Sequence, residues 1–285
     1  MMKKALTLTE LVISIAIIVL LILILLPALK RARDNRIRAA CANNLHQIGK
    51  AMHLYCNDYE DELPRAGGPN STWGTTPNWQ ADTRRAAFAL DSQDTPGRAS
   101  ISASLYLLVK YEDVPPKSLL CNGDINTTEF IPAKYGVRNM ELNDLWDFGP
   151  DPTKHCSFSY HIPYGPYSLT SSNLPGMAVA ADRSPWLPSP GAKARNFERF
   201  NAAGDEKAIK AGNTIFHQED GQNVLYIDAH VSFEKCSFCG VNNDNIYTYQ
   251  NATDIQKGAT PTLISQPANR TDSVLVHDPP RNNQE

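Results

Sequence analysis

The sequence has no excess of charge of either sign. Its 27 Lys and Arg residues and 30 Asp and Glu residues give a formal net charge of −3. The chain therefore lacks the basic excess typical of nucleic-acid-binding proteins, and we expect no nucleic acid among its partners. It also lacks the tight His-Glu-x-x-His spacing of metal hydrolases. We expect a protein that is not an enzyme and that needs no cofactor; calcium and zinc are considered below as ions that particular side chains could bind.

Long apolar runs are lacking everywhere except at the start of the chain. Residues 11–26 are apolar apart from Ser14, and they would form about 24 Å of helix. Residues 6–29 together are long enough to cross a bilayer core of about 30 Å. The 20 prolines and 16 glycines predict turns, not further long helices, in the rest of the chain. The sequence therefore predicts a single-pass anchor at 6–29 and a water-exposed body.

One carboxylate stands at the edge of the apolar run. Glu10 would cost about 2 kcal/mol or more at the centre of a bilayer, and a plain anchor has no use for it. The segment Ala5-Leu6-Thr7-Leu8-Thr9-Glu10 resembles the type IV prepilin motif, although Gly and Phe usually stand where Ala5 and Leu6 do. In that family a peptidase on the cytoplasmic side cuts before the apolar run, and the new N-terminal amine is methylated.

This resemblance implies a leader at residues 1–5 and a mature chain that begins with Leu6. Glu10 is then the fifth residue of the mature chain, and Pro27 stands where pilins commonly carry a helix-bending proline. In a filament the amine of a neighbouring Leu6 could pair with Glu10, which would set the stagger between subunits. In the unassembled protein we expect Glu10 near the lipid headgroups.

The expected topology places the short N-terminus in the bacterial cytoplasm and the C-terminal domain in the periplasm. The anchor then lies in the inner membrane. Lys30 and the arginines up to Arg38 oppose this orientation, because positive residues usually stay on the cytoplasmic side. The prepilin motif takes precedence here, and these residues could bind anionic headgroups of the outer leaflet.

A helical stripe continues beyond the anchor. Spacings of three and four residues separate Leu45, Ile48, Met52, Tyr55 and Tyr59. Such spacing predicts one apolar face on a helix. We expect one helix from 6 to 61, of which residues 30–61 form a periplasmic half that packs on the globular body.

Several runs narrow the resemblance to a pseudopilin group of planctomycete-type bacteria. They are residues 27–33, Cys41, residues 43–49, and later islands at 120–124, 159–163 and 180–185. Members of this group are similar to the major pseudopilin of type II secretion and carry a C-terminal element called H-X9-DG. The resemblance implies an α+β, pilin-like fold in which the long helix packs on a loop-rich antiparallel β-sheet domain at residues 62–259. A polar tail at 260–285 is expected to be flexible.

The counterpart of the H-X9-DG element lies in a predicted β-hairpin. Strands are expected at residues 223–228 and 231–234. The family pattern ends in Asp-Gly, whereas Ala229 follows Asp228 here. In a type I′ turn, alanine at this position would cost about 1 kcal/mol. We therefore expect either that cost or a wider turn. The residues of this element are His217, Asp220, Gly221, Asn223, Asp228 and His230.

These residue types allow two interpretations of the H-X9-DG-like element. In the first they are turn and strand-capping residues, which we favour. In the second, a zinc-bound water is the nucleophile of a hydrolase and Asp220 is its base. A zinc site built from His217, His230, Cys236 and Cys239 is a related alternative.

Two further features bear on binding and oxidation. Asn242 and Asp244 offer oxygen ligands for calcium, which major pseudopilins of type II secretion bind in a C-terminal loop. Among the six cysteines, a bridge between Cys121 and Cys156 is plausible, and a periplasmic location favours oxidation.

Three functions remain open from the sequence. The leading one is a pseudopilin-like subunit that is processed by a prepilin peptidase and assembles with other pseudopilin subunits into a type II secretion or type IV pilus-like fibre. The second is a membrane-tethered periplasmic binding module that uses the leader only for export. The third is a metal-dependent hydrolase.

Overall fold

A computed structural model describes residues 8–90, 96–137, 139–251 and 253–281. Four α-helices lie in these residues: α1 Leu8–Asp58, α2 Arg84–Ala87, α3 Ile101–Tyr111 and α4 Glu206–Lys210. The strands are β1 Thr72–Trp73, β2 Arg98–Ala99, β3 Phe158–His161, β4 Ala178–Asp182, β5 Gln222–Tyr226, β6 Val231–Glu234 and β7 Leu275–Val276. Short 3-10 helices occupy Pro116–Leu119, Pro132–Tyr135, Leu142–Asp144, Pro152–Lys154, Phe197–Arg199, Ile215–His217 and Val241–Asn243.

Helix α1 is the long helix that the sequence predicts. Pro27 lies inside it, and it ends at Asp58, a little before the predicted end at 61. Glu60 and Asp61 adopt left-handed backbone angles, with φ of 53° and 62°, which no α-helix can contain. Among the described residues, α1 is the one helix long and apolar enough to cross a membrane.

The main sheet has the strand order β6-β5-β4-β3-β7, and every neighbouring pair is antiparallel. A separate parallel pair joins β1 and β2. The expected α+β class with an antiparallel sheet is therefore confirmed. Strand β6 coincides with the predicted run, and β5 ends two residues earlier than predicted.

Both faces of the sheet are buried. In β5, Leu225 joins the core shared with α1 and α3, whereas Val224 and Tyr226 join a second core on the opposite face. Trp186 and Tyr247 close that second core from the loops. Burial of both faces explains why Val224, Leu225 and Tyr226 are consecutive apolar residues, with no alternation of apolar and polar side chains.

The outer half of α1 supplies one wall of the first core. Leu45, Ile48, Met52 and Tyr55 are all buried, as the stripe predicts, and Tyr59 packs at its margin. No side chain of the apolar window near the N-terminus is buried. One helix thus has an exposed apolar half and an outer half with one buried face.

The C-terminal segment differs from the expected flexible tail. Residues 272–278 are buried, and β7 forms an edge of the main sheet. Asp278 lies at the N-terminus of α3, where its carboxylate accepts hydrogen bonds from the backbone N–H groups of Ile101 and Ser102 at 2.9 and 2.8 Å. It also accepts from Trp73 Nε1 at 2.8 Å and from the Ser102 hydroxyl at 2.7 Å. A carboxylate suits the positive end of a helix dipole, so the polar tail is ordered by α3.

Replacing Asp278 with alanine would remove four hydrogen bonds and leave buried donors unsatisfied. We expect the free energy of unfolding to fall by about 2–3 kcal/mol. Urea unfolding of the detergent-solubilised chain, followed by circular dichroism, measures this loss. Glu129→Ala removes an exposed carboxylate and is the control. If both variants unfold at the same urea concentration, the tail does not stabilise α3.

Candidate functional site

The face of α1 between residues 38 and 49 meets the rest of the protein on two sides. We call this region the junction. On one side stands the segment 118–121, and on the other stands the β5–β6 hairpin with the loop before it. Several of the residues that suggested a family resemblance lie here, among them Cys41, Asn44 and Cys121.

A disulfide bond joins Cys41 of α1 to Cys121, with 5.1 Å between the Cα atoms. The sequence-based pairing of Cys121 with Cys156 is therefore wrong, and Cys156 is a buried free thiol. The reason is tertiary: the 3-10 helix Pro116–Leu119 lies against α1 and places Cys121 beside it, and Cys41 could not be ranked as its partner from the sequence. The bond closes a loop over a sequence separation of 80 residues.

Polar contacts extend the disulfide along the same side of the helix. The Asn44 side chain donates to the carbonyl of Leu120 at 2.8 Å. One turn further on, Gln47 Oε1 accepts from the Ser118 hydroxyl at 3.1 Å. The side chains at 41, 44 and 47 are spaced by three residues, so a single helix face carries all three contacts.

The β5–β6 hairpin holds the other side of the helix. Its loop makes a turn in which the Ala229 N–H donates to the carbonyl of Tyr226 at 2.9 Å, and Ala229 has a φ of 65°. This is the wider three-residue loop, not the type I′ turn that Asp-Gly would favour. The carbonyl of Ala229 accepts from His46 Nδ1 at 3.1 Å. Gly49 lets the helix approach the hairpin, because a Cβ there would lie 2.6 Å from Leu225 Cδ1.

Asp220 ties the loop before β5 to the base of the junction. Its carboxylate accepts from Arg38 at 2.6 Å, and this hydrogen bond holds the pKa of Asp220 below its usual value. The Arg38 guanidinium also lies over the ring of Phe233 in β6, 4.5 Å from its centroid. Gly221 follows with a φ of 151°, and a Cβ there would lie 2.2 Å from the carbonyl oxygen of Glu234. Only glycine fits this approach.

His217 lies beneath the disulfide and is almost fully buried. Its Nε2 is 3.0 Å from Oδ2 of Asp182 and 3.6 Å from Sγ of Cys121. Asn223 supports the same carboxylate oxygen through its backbone N–H at 2.6 Å and its side-chain amide at 3.0 Å. His217 and Asn223 thus both contact the carboxylate of Asp182, although they are six residues apart in the sequence.

The structure separates the residues of the expected zinc hydrolase site. Asp220 contacts Arg38 and Lys210, whereas His217 contacts Asp182, so the proposed base does not face the proposed ligand. His230 stacks on Tyr226 at the exposed hairpin tip and contacts Asp228 at 2.5 Å.

The expected zinc set of His217, His230, Cys236 and Cys239 is likewise not assembled. Cys236 and Cys239 are free thiols, and burial raises the pKa of each. Within the described ranges, one group of three or more His, Cys, Asp and Glu side chains is close enough to share an ion, and it consists of Cys41, Cys121, Asp182 and His217. The residues at sequence-close spacing diverge because the hairpin turns His230 outward.

Two of the sequence islands meet in a buried ion pair. Arg183 Nε lies 3.3 Å from Oδ2 of Asp124, and both side chains are fully buried. Arg183 also donates to the carbonyls of Thr153 and Cys156. A buried charge pair with added hydrogen bonds fixes the segment after Cys121 beside the end of β4. The sequence around Arg183 and Asp124 contains no local pattern that predicts this ion pair.

The two calcium candidates have different surroundings. Asn242 is exposed, with a φ of 58°. Asp244 is buried, accepts from the Ser273 N–H at 2.8 Å through Oδ2, and has an Oδ1 that makes no hydrogen bond within the described residues. Burial, followed by repulsion from the nearby buried Asp272, raises the pKa of Asp244. The structure thus pairs Asp244 with Asp272, which sequence reasoning missed.

The leader positions lie at the other end of the molecule. Ala5 and Leu6 are outside the described residues. Glu10 and Pro27 are exposed on the apolar half of α1. The Ser14 hydroxyl donates to the backbone carbonyl of Glu10 at 2.7 Å.

Comparison with protein-family models, curated proteins and solved structures gave no match for this chain.

Gly49→Ala tests whether close approach holds the helix on the hairpin. The added Cβ would overlap Leu225 and touch Ala229. Although alanine favours a helix by about 1 kcal/mol, overpacking costs about 1–3 kcal/mol. We expect a net loss of stability of about 1 kcal/mol in thermal unfolding. Lys50→Ala, at the exposed neighbouring position, should change stability by less than about 0.5 kcal/mol. A Gly49→Ala protein more stable than wild type would contradict this account.

Proposed function

We propose that this chain is a membrane-anchored, pseudopilin-like structural subunit with no catalytic role. The observation that carries the proposal is the division of α1. Its first part exposes a continuous apolar surface from Leu8 to Leu29, and its outer part is fixed to the body at the junction. A surface of that size in water would have to be covered by lipid or by other copies.

A helix of 51 residues is about 75 Å long. The junction contacts hold it from two sides, through Cys41 on one side and through residues 38, 46 and 49 on the other. A body fixed in this way cannot rotate about the helix, so packing between anchors would set the position of each body. This is the mechanical requirement for a subunit of an ordered fibre, and a flexible tether would not need it.

Glu10 gives such packing a defined register. In our proposal a prepilin peptidase cuts between Ala5 and Leu6, the new amine is methylated, and anchors assemble out of the bilayer. A carboxylate among packed apolar helices is strongly penalised unless it gains a cation, which the amine of a neighbouring Leu6 supplies. Pro27 allows the helix to bend where the anchor ends.

The disulfide supports the proposed location of the body in the periplasm. Disulfides form and persist in oxidising compartments, which include the bacterial periplasm. Cys41 lies on the outer half of α1, so oxidation there agrees with a cytoplasmic N-terminus and a bilayer-spanning segment between them. This supports the topology against the orientation that the basic residues after Leu29 would favour.

Glu10→Gln tests assembly directly. The variant keeps the shape of the side chain and removes its charge, so we expect it to be cut, methylated and retained in the membrane. Self-association of differently tagged copies should weaken by about tenfold or more, since each 1.4 kcal/mol corresponds to tenfold. Chemical crosslinking of membranes measures association, and mass spectrometry of the mature N-terminus measures processing.

Ser14→Ala is the matched control, one turn along the same helix. It should associate as wild type does, because its hydroxyl bonds to backbone only. If Glu10→Gln is processed and associates normally, assembly through Glu10 is wrong and the tethered binding module becomes the better reading. An intact Met1 in the wild-type protein would overturn the peptidase route itself.

Of the two residues expected to bind calcium, Asp244 has surroundings that suit the ion. Asp244 and Asp272 would hold the ion, because both are buried carboxylates and Oδ1 of Asp244 has no hydrogen bond within the described residues. Asn242 does not fit, since it is exposed. Burial first, and repulsion from Asp272 second, raise the pKa of Asp244 from its usual 3.8 to about 8. A bound divalent cation would replace that proton.

This shift predicts a pH dependence. The folded protein keeps the proton on Asp244 up to about pH 8, whereas the unfolded chain loses it near pH 3.8. The contribution to stability is therefore complete below pH 3.8 and is lost as the pH rises to about 8. We expect Asp244→Asn to flatten this decline. At pH 8, Ca²⁺ should raise the unfolding midpoint of wild type by about 2 °C or more, but not that of Asp244→Asn. An equal rise in both proteins, or a rise with Mg²⁺ alone, would exclude this site.

A further inference from the structure

A second cluster of metal-binding side chains lies at the junction. Cys41, Cys121, Asp182 and His217 come from α1, the segment before Gly123, β4 and a 3-10 helix. Their ligand atoms all lie within 4.8 Å of one another, and all four residues are buried. The present disulfide occupies two of these donors. If this disulfide is reduced, Cys41 and Cys121 each offer a thiol.

The donor set suits a tetrahedral, thiophilic divalent cation. Zinc binds Cys, His and Asp at about 2.0–2.3 Å, which places ligand atoms about 3–4 Å apart. Two distances in the cluster already fall in this range: His217 Nε2 to Asp182 Oδ2 at 3.0 Å, and His217 Nε2 to Cys121 Sγ at 3.6 Å. Chance clustering on an exposed acidic surface does not apply, because every member is buried.

Asp182 gives a second, independent indication. Its Oδ2 accepts two hydrogen bonds from Asn223, which orient the carboxylate. Its Oδ1 is buried and makes no hydrogen bond within the described residues. A buried carboxylate oxygen without a partner is costly, and a metal ion is one way to satisfy it. Asn223 would then be the outer support that metal-binding carboxylates commonly have.

We infer that the junction is a redox-dependent zinc site. In the disulfide form the covalent bond joins α1 to the segment 118–121. In the dithiol form, Cys41, Cys121, His217 and Asp182 bind one Zn²⁺, which makes the same connection. The ion and the disulfide are alternatives, since both need the same two sulfur atoms.

The chemistry balances with a dithiol reductant. The reductant gives two electrons and two protons to the Cys41–Cys121 bond, which becomes two thiols while the reductant becomes a disulfide. Zn²⁺ then displaces the two thiol protons and binds two thiolates. A disulfide oxidant reverses the sequence: it takes two electrons from the two thiolates and, with two protons, becomes a dithiol, while the Cys41–Cys121 bond forms again and the ion is released. A chain that folds before it is oxidised would have its outer helix held on the sheet by the ion.

The test uses the full chain in detergent, with Co²⁺ as a spectroscopic probe for the zinc site. We expect the reduced protein to bind one Co²⁺ with thiolate charge-transfer and tetrahedral d–d bands, and the oxidised protein to bind none. His217→Gln should weaken binding by about tenfold or more, since it removes one ligand. The double variant Cys236→Ser/Cys239→Ser removes the other free cysteine pair and should bind as wild type does.

Three results would overturn the inference. The first is a reduced wild-type protein that stays folded and binds no Co²⁺. The second is loss of the cobalt bands in the Cys236→Ser/Cys239→Ser variant but not in Cys41→Ser/Cys121→Ser. The third applies if reduction alone unfolds the chain: Zn²⁺ should then restore the helical circular dichroism signal, and failure to do so rejects the site. None of these results depends on assembly through Glu10, so this inference and the proposed function fail separately.

Discussion

The structure depends on the burial of one helix face against a sheet. Leu45, Ile48, Met52 and Tyr55 would be exposed if the outer half of α1 left the body, and the first core would lose a wall. Burial of a large apolar side chain contributes about 1.5–3 kcal/mol. This apolar contact holds the helix but does not by itself fix its position along the sheet, because such contacts are not directional.

Directional contacts at the junction fix the position of α1 along the sheet. The disulfide fixes Cys41, the ion pair fixes Arg38, and the close approach at Gly49 admits no side chain. These constraints act on neighbouring turns of one helix, so they exclude both sliding and rotation. The exposed half of α1 then continues in a direction that the body determines. This connection links local packing to the proposed assembly.

The H-X9-DG-like element is better understood as part of this junction than as a reaction centre. Its residues do not converge on one point: Asp220 reaches Arg38, His217 and Asn223 reach Asp182, and Asp228 closes the hairpin tip with His230. Gly221 permits the close strand pairing that places them. The same element therefore contributes to the fold at several separate positions, and His217 is its member in the buried group with Cys41, Cys121 and Asp182.

The sequence by itself determined those helices and strands that have a strong periodicity or a distinctive composition. The apolar run, the stripe beyond it and the β5–β6 hairpin were predictable, because helix and strand periods place neighbours in sequence on known faces. Tertiary structure alone decided that Cys41 pairs with Cys121, that Arg183 pairs with Asp124, and that Asp182 joins His217. It also ordered the polar tail, through Asp278 at the start of α3. These partners are far apart in the chain, and no local pattern reports which distant segments the packing of α1 on the sheet brings together.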